Sequence, residues 1–201
     1  MRNHLQEIMS FSLVAILLLA LASIVHRSWM NGISPMPSSA PVRRAVVAEI
    51  HRLSEKGLIV EAGSGWGTLG IHIGRYCRGW RLVGIENSTL PLGISKILAW
   101  LTFGVQARRD SSDSSRTSVS FQRGDIYRYS YSEASMVVCY LYPEAMNRLS
   151  PMLQQQLRSD AFVISVCFAL PGWQPERVIT CGDLYRTKVY VYSAQPRRIE
   201  K

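Results

Sequence analysis

Apolar residues recur along this chain in two patterns, which predict strands alternating with helices. Short apolar runs, typical of buried strands, cover residues 58–60, 82–85, 119–123, 136–142, 161–168, 178–181 and 188–192. Helical spacing of apolar residues covers residues 42–55, 69–77, 90–103 and 144–157. Early strands alternate with helices and two strands come together at the end. This order predicts an α/β fold, a mostly parallel sheet with an antiparallel edge strand and helices on both faces.

The N-terminal region has a different pattern. Residues Ile8 to Val25 read IMSFSLVAILLLALASIV, eighteen residues without a charge, just long enough to cross a bilayer core of about 30 Å. The basic residues near this run mostly follow it, at Arg27, Arg43, Arg44 and Arg52. The positive-inside rule therefore predicts a retained single-pass transmembrane helix with the C-terminal domain on the cytoplasmic side. A cleaved signal peptide is the alternative, because Ala20-Leu21-Ala22 resembles a cleavage site.

The composition after this run indicates a linker and then one domain. Residues 28–42 contain three prolines together with serine, glycine and asparagine, which is typical of a semi-extended connection. We therefore predict a tail and transmembrane anchor over 1–27, a linker over 28–42 and a catalytic domain over 43–201. The anchor and linker would hold that domain close to a membrane surface.

Charge and cysteine content narrow the classes of partner. The formal net charge is +9, from 23 basic and 14 acidic residues. The arginines are scattered and form no dense stripe interleaved with aromatic residues, so nucleic-acid binding is not favoured. The four cysteines include no CxxC pair, so the spacing of a zinc site is absent and no metal is expected. Buried free thiols are favoured over disulfides.

The most specific motif lies between the first two predicted strands. Glu61-Ala62-Gly63-Ser64-Gly65-Trp66-Gly67 follows an apolar run, and the next run ends in Glu86. Glycine adopts positive φ at little cost and lets backbone approach a ligand closely. Nucleotide-binding βαβ units combine such a loop with a helix N-terminus and an acid about 20 residues downstream that binds ribose. The stretch therefore predicts a site for an adenosine-containing cofactor.

Two cofactor classes compete for this loop. Residues Gly65 to Gly70 fit the dinucleotide pattern GxGxxG, which is a weak signal alone. Glu61, however, would face a pyrophosphate and repel it, whereas a carboxylate accepts hydrogen bonds from an ammonium group. S-adenosyl-L-methionine carries an ammonium and a sulfonium and has no phosphate. The motif favours this cofactor, and an NAD-dependent dehydrogenase is the outside alternative.

Each candidate cofactor residue has an expected contact. We expect Glu86 to accept hydrogen bonds from the ribose hydroxyls, Glu61 to orient the methionine ammonium, and Asp125 to accept from the adenine amino group. The alternative for Asp125 is a turn or helix cap. Trp66 packs on the cofactor or has a plain packing role. The full set of candidates is Glu61, Gly63, Ser64, Gly65, Trp66, Gly67, Glu86, Asn87, Asp125 and Ile126.

The acceptor is expected at the end of the fourth strand. Tyr140-Leu141-Tyr142-Pro143 follows a buried run, and ligands of open α/β sheets bind beyond the carboxyl ends of the strands. Tyr140, Tyr142 and Pro143 are therefore the candidates for positioning the acceptor. The tyrosines would hydrogen-bond an amine or surround it by cation–π contact. Core packing is the alternative for each tyrosine, because alternate residues face opposite sides.

These motifs resemble those of a known enzyme class. Residues 61–67 look like motif I of class I S-adenosylmethionine-dependent methyltransferases, 84–86 like their second-strand acid, and 124–127 like their acidic motif after the third strand. The resemblance covers about residues 45–195. It implies a Rossmann-like fold, here pared down because residues 168–178 are too few for a full helix.

Further features resemble a narrower family. The chain resembles the membrane-anchored lysine methyltransferases that modify the ATP synthase c subunit and the adenine nucleotide translocator. The features that carry this resemblance are the N-terminal apolar run, residues 137–143 and residues 167–175. That resemblance implies methylation of a lysine ε-amino group in a membrane-associated protein. A lipid or small-molecule acceptor is the alternative among enzymes. The alternative outside them is a non-catalytic membrane-anchored scaffold with the same fold.

Overall fold

The computed structural model describes residues 2–31, 37–53, 56–104 and 118–194. The chain divides into two compact units, Met1–Pro35 and Met36–Lys201. The helices are α1 (Arg2–Asn31), α2 (Ala40–Arg52), α3 (Thr68–Tyr76), α4 (Thr89–Ala99), a π-helical turn (Trp100–Gly104) and α5 (Pro143–Gln156). The strands are β1 (Leu58–Ala62), β2 (Arg81–Glu86), β3 (Ser118–Arg123), β4 (Met136–Cys139), β5 (Phe162–Val166), β6 (Arg177–Thr180) and β7 (Lys188–Ser193).

Helix α1 contains the predicted transmembrane run. Within the described ranges, no helix has both the length and the apolar character needed to cross a membrane. The prediction of a single-pass anchor with the catalytic domain on its cytoplasmic side is therefore wrong. A span ordinarily takes about 20 consecutive, predominantly apolar residues, whereas the uncharged run has eighteen, three of which are serines.

The predicted linker is partly helical. Helix α1 continues to Asn31 and α2 begins at Ala40, so regular structure occupies both ends of the 28–42 segment. Residues 32–36 of that segment lie outside the described residues. The boundaries predicted for the three segments stay predictions.

The second unit is built on one seven-stranded sheet with the strand order β3-β2-β1-β4-β5-β7-β6. Strands β1 to β5 pair in parallel, and β7 pairs antiparallel with both β5 and β6. The predicted Rossmann-like, mostly parallel sheet with an antiparallel edge is confirmed. Strand β1 lies between β2 and β4, where the strand order reverses and open α/β sheets bind ligands.

Two apolar cores cover the faces of the sheet. On one face, Val46 and Ile50 of α2 and Ile73 of α3 pack against alternate strand residues. On the other, Met146 and Leu149 of α5 pack against the residues between them. All five residues of β1 are buried, as expected for a parallel strand covered on both faces.

Several elements differ in length from the prediction. Strand β4 ends at Cys139 rather than Tyr142, because the chain leaves the sheet so that Pro143 can begin α5. Strand β5 ends at Val166, before Cys167 at a φ of 73°, a conformation that a strand cannot continue. No helix occurs between β5 and β6, in agreement with the pared-down fold. The polar, serine-rich composition of residues 107–118 predicts a surface loop. These residues lie outside the described ranges except for Ser118, which begins β3.

Candidate functional site

The glycine loop between β1 and α3 requires glycine for both conformation and space. Gly63, Gly65 and Gly67 have φ values of 76°, 52° and 75°, in the left-handed region that side chains disfavour. A Cβ atom at Gly63 would lie 2.6 Å from Leu141 Cδ2, and one at Gly67 would lie 2.7 Å from Ser95 Cβ. The loop therefore packs its bare backbone against neighbouring side chains and ends as the N-cap of α3.

Hydrogen bonds fasten this loop to the end of β2. The backbone N–H groups of Gly63 and Ser64 both donate to the carbonyl oxygen of Ile85, at 3.0 Å each. The Gly65 N–H donates to Glu86 Oε2 at 2.8 Å. Trp66 lies half-buried in the same turn. The loop is thus held in place by the strand that carries the predicted ribose-binding acid.

Glu86 is the last residue of β2 and is 8% exposed. Its Oε1 accepts the Ser88 N–H at 2.7 Å, and its Oε2 accepts the loop N–H of Gly65. The neighbouring Asn87 is exposed, and its Oδ1 accepts the Ser88 hydroxyl at 3.1 Å. Because each carboxylate oxygen has about two acceptor positions, Glu86 can still accept further hydrogen bonds. The predicted contact with ribose stays a prediction.

Glu61 is buried within β1, at 4% exposure, on the face covered by α3. Among the described residues, its Oε2 finds no partner in hydrogen-bonding geometry. Burial raises the pKa of Glu61 from 4.5 to about 8; the nearby Gly70 N–H opposes this rise and the charge of Glu86 adds to it. A Cβ at Gly70 would collide with Oε2, so the carboxyl group fits because that helix position is glycine.

The hydroxyl oxygen of Ser64 is a second buried polar atom without a partner in the described part of the chain. With Glu61 Oε2, it makes two buried polar atoms beside the loop that have no hydrogen-bond partner among the described residues. Such atoms carry a free-energy cost of about 1–3 kcal/mol each. A ligand with hydrogen-bond donors would remove that cost, so the donor chemistry of the site fits an ammonium-bearing cofactor better than a phosphate.

Asp125 and Ile126 follow β3 in a turn beside β2. Asp125 is exposed, its Oδ1 accepts the Tyr127 N–H at 2.9 Å, and its Oδ2 lies 3.8 Å from Arg128 Nε. The structure therefore shows the turn-capping role, and the adenine contact stays a prediction. Ile126 is half-buried, and its carbonyl oxygen accepts the Tyr131 hydroxyl at 2.8 Å.

The two candidate acceptor tyrosines lie in different surroundings. Tyr140 packs on the core under α2 and α3, and burial raises the pKa of its hydroxyl, with smaller effects from Cys167 and Asp183. Tyr142 is instead the N-cap of α5 and lies near Tyr127, whose pKa is raised by burial and, to a smaller extent, by this neighbour. Pro143 is exposed at the first position of α5. Tyr140 thus remains beside the sheet, whereas Tyr142 turns with the helix.

A polar cluster at the carboxyl ends of the parallel strands was not expected from the sequence. Asp183, in the turn between β6 and β7, accepts hydrogen bonds from Thr187 and from Ser39 at the start of α2. Ser38 lies 3.4 Å from Thr68, with their hydroxyl oxygens facing, so the segment before α2 also reaches the N-terminus of α3. A signal was present in the spacing of Asp183 and Thr187 within a turn and in the serine before α2. The partners, however, are far apart in sequence.

Known proteins share this fold and these motifs. A family model described as the ANTKMT methyltransferase domain matches residues 61–177. The chain is 30% identical to the human lysine N-methyltransferase of the ATP synthase C-subunit over 61% of its length, and it covers 47% of that protein. It is 29% identical to the mouse adenine nucleotide translocase lysine N-methyltransferase, of which it covers 50%. The chain thus spans about half the length of these relatives.

Other relatives match over nearly their whole length. The chain is 26% identical to a protein-lysine N-methyltransferase of Saccharolobus islandicus (strain REY15A) over 82% of its own length and 96% of that protein. A solved RNA methyltransferase from Salinibacter ruber, in complex with S-adenosyl-L-homocysteine, is 28% identical with a TM-score of 0.65. That match covers 83% of this chain and all of the other. Since the family model matches more than half of its residues, this chain belongs to the ANTKMT methyltransferase domain family.

Proposed function

We propose that this chain is an S-adenosyl-L-methionine-dependent methyltransferase that modifies the ε-amino group of a protein lysine. The observation that carries this proposal is the pair of buried carboxyl groups beside the glycine loop. Glu86 is held by backbone N–H groups and Glu61 has an unsatisfied oxygen. The names of the lysine-methylating relatives and the S-adenosyl-L-homocysteine in the solved relative support the same activity.

The residues of the loop suit this cofactor. Glu86 accepts hydrogen bonds from its ribose hydroxyls and Glu61 from its ammonium group, while Asp125 accepts from the adenine amino group. Further contacts come from the loop and turn residues Gly63, Ser64, Gly65, Trp66, Gly67, Asn87 and Ile126. When bound, S-adenosyl-L-methionine supplies an electrophilic methyl group on its sulfonium sulfur. Enclosing that group requires the close backbone approach that the glycines allow.

The end of β4 positions the acceptor amine. A lysine side chain entering there must lose its proton before the nitrogen can react, and it must be separated from water. The half-buried ring of Tyr140 supplies an apolar surface and a hydroxyl at this point. Tyr142 and Pro143 line the approach as the chain enters α5. No strict catalytic residue is needed, because positioning and desolvation supply most of the effect.

The acceptor protein is membrane-associated in the finer form of this proposal, and the methyltransferase domain occupies residues 43–201. Support comes from the relatives whose names specify the ATP synthase C-subunit and adenine nucleotide translocase. A lipid, a small molecule or RNA as acceptor, and a scaffold without activity, make different predictions for the experiments below.

Calorimetry on the full chain tests the cofactor. Titration with S-adenosyl-L-methionine and S-adenosyl-L-homocysteine is expected to show binding of both, and titration with NAD to show none. The Glu86→Ala variant is expected to bind both cofactor forms more weakly. Preference for NAD would revive a dehydrogenase, and lack of any binding would leave a scaffold.

Transfer of a labelled methyl group tests the acceptor. The purified chain is incubated with methyl-tritiated S-adenosyl-L-methionine and extracts of cells that lack the gene, separated into membrane proteins, soluble proteins, RNA and lipids. Label is expected in the membrane proteins, on lysine, in an amount that the Glu86→Ala variant does not reach. Label confined to soluble proteins contradicts the membrane-associated acceptor, and label in RNA or lipid contradicts lysine methylation.

A further inference from the structure

The turn between β6 and β7 lies at the same edge of the sheet as the candidate acceptor site. Strand β4 ends at Cys139, which pairs with Ser165 of β5. The next residues of β5 reach the start of β7, where the Cys167 N–H donates to the carbonyl oxygen of Lys188 at 2.8 Å. The turn that precedes Lys188 is therefore beside the carboxyl ends of β5 and β4. Tyr140 follows Cys139 at this same edge.

Asp183 is fixed within this turn. Its Oδ1 accepts the Thr187 N–H at 2.7 Å, while its Oδ2 accepts the Thr187 hydroxyl at 2.6 Å and the Ser39 hydroxyl at 3.2 Å. These bonds, chiefly the one from the Thr187 side chain, hold the pKa of Asp183 below its ordinary value. The turn therefore presents a carboxylate with one orientation and a permanent negative charge at neutral pH.

This carboxylate has capacity for one more donor. The two oxygens offer about four acceptor positions, and the three hydrogen bonds leave one of them, on Oδ1. No lysine or arginine in the described part of the chain forms an ion pair with Asp183, whereas Glu49 and Asp160 each pair with an arginine. In a chain with a formal net charge of +9, an anchored carboxylate without a cationic partner is suited to a cation from outside.

Tyr140 supplies an aromatic surface on the same side. Its ring, Cys167 and Cys181 all pack on the core that lies under α2 and α3. Burial raises the pKa of the thiols of Cys167 and Cys181 and of the Tyr140 hydroxyl, and the nearby charge of Asp183 adds a smaller part to each rise. A carboxylate beside an aromatic ring is the combination that recognises ammonium groups, by charge and by cation–π contact.

We infer that Asp183 and Tyr140 form the subsite that binds the ammonium group of the acceptor lysine, an inference that rests on the proposed function. Two ammonium groups, of cofactor and acceptor, must then be told apart. Glu61 is buried beside the glycine loop and suits the cofactor, whereas Asp183 is partly exposed and can meet a side chain arriving from a protein. Asp183 binds the lysine as its ammonium ion. One N–H bond of the ammonium group then breaks, its proton passes to a water molecule at the exposed side of the subsite, and the neutral amine nitrogen lies over Tyr140.

Binding of a small ammonium probe tests this inference without requiring turnover. The full chain, loaded with S-adenosyl-L-homocysteine, is titrated with Nα-acetyl-L-lysine methylamide and observed by NMR. The matched neutral probe is Nα-acetyl-L-norleucine methylamide. The lysine probe is expected to shift resonances around Tyr140 and Asp183, whereas the neutral probe leaves them unchanged. In Asp183→Asn its Kd should rise about fivefold, the size of one partly exposed ion pair.

A second variant separates charge from the fastening of the turn. Thr187→Val removes the hydroxyl donor to Asp183 but keeps the carboxylate, so it should bind the probe nearly as wild type does. Asp183→Glu should restore part of the affinity lost in Asp183→Asn. Three results would each overturn the subsite. The lysine probe could bind wild type and Asp183→Asn with equal affinity, it could lose as much affinity in Thr187→Val as in Asp183→Asn, or it could fail to bind wild type. Binding of S-adenosyl-L-homocysteine is measured first, so a failed proposed function is distinguished from a failed subsite.

Discussion

Replacement of Glu61 by glutamine should stabilise the protein at alkaline pH and weaken cofactor binding. Glutamine keeps the size of the side chain but cannot ionise. Glu61 lies among apolar residues of the α3-covered face, such as Ile59 and Leu82, and beside the negatively charged Glu86. Such surroundings disfavour a charge in the folded state without cofactor. The stability difference between wild type and Glu61→Gln should therefore depend on pH.

The direction and size follow from the raised pKa of Glu61. Below its ordinary pKa of 4.5 the group is protonated in both states and has no effect. Between that pH and about 8, the side chain ionises in the unfolded chain but not in the folded chain. Ionisation lowers the free energy of the unfolded state, so the free energy of unfolding falls as the pH rises. From pH 5 to pH 8 this loss amounts to roughly 4 kcal/mol, at about 1.36 kcal/mol per pH unit. Glu61→Gln lacks this loss.

Urea unfolding at pH 5 and pH 8 measures the effect. The free energy of unfolding of Glu61→Gln, relative to wild type, is expected to rise by several kcal/mol between the two pH values. Costs of the substitution that do not depend on pH cancel in this comparison. Glu133→Gln, at an exposed position, is the control for removing one negative charge and should show little change. An equal pH dependence in wild type and Glu61→Gln would show that Glu61 is not held in its protonated form by burial.

The same residue links cofactor binding to a proton. If the cofactor ammonium meets Glu61, the carboxylate form is stabilised and binding at pH 7 releases a proton. The binding enthalpies measured in phosphate and in Tris should then differ. The difference should equal the number of protons released on binding multiplied by the difference between the ionisation enthalpies of the two buffers. Glu61→Gln should bind S-adenosyl-L-methionine more weakly and release no proton. A wild-type enthalpy that is the same in both buffers would contradict the assignment of Glu61 to the ammonium.

Three further substitutions or reactions test separate parts of the site. Glu86→Ala removes the acceptor of a loop N–H, which should cost about 1–3 kcal/mol of folding free energy and raise the Kd for S-adenosyl-L-methionine at least tenfold by calorimetry; unchanged affinity would exclude the ribose contact. Gly67→Ala must adopt a φ of 75° and meet Ser95, so urea unfolding should show a loss of about 1–3 kcal/mol. The control is Gly93→Ala in α4, where a Cβ meets no atom within 4 Å, and equal losses at both positions would contradict this account. Burial raises the pKa of Cys139 to about 12, so its thiol should react with a disulfide reagent at pH 8 far more slowly than half-buried Cys167; mass spectrometry of the labelled peptides would reveal the opposite order.

The sheet could be predicted because its signals are local. Residues 58–62 and 136–139 are short, wholly apolar or nearly so, and separated by helical spacing. Runs of this length, too short for a helix, favour strands that are buried on both faces. The antiparallel edge followed from two runs at the end without a full helix between them. The three alternating glycines similarly predict a tight turn, since the φ values observed there are ones that only glycine adopts easily.

Other features depend on contacts that sequence does not display. Ser39 and Asp183 are 144 residues apart in sequence and meet only because α2 packs against β7, next to the edge strand β6. The burial of Glu61 depends on the glycine at position 70 of the facing helix. The separation of Tyr140 from Tyr142 depends on where β4 ends, which the apolar run extends past. The prediction of a membrane anchor was wrong because it rested on the absence of charge in a run at the lower limit of length for a membrane span.

Amino-acid analysis of labelled protein tests the central claim most directly. The full chain is incubated with methyl-labelled S-adenosyl-L-methionine and protein from cells that lack the gene, and the protein is then hydrolysed to amino acids. Label is expected in methylated lysine with wild type and in a strongly reduced amount with Glu86→Ala. Label in another amino acid, or none above a reaction without the chain, would contradict the proposed lysine methylation.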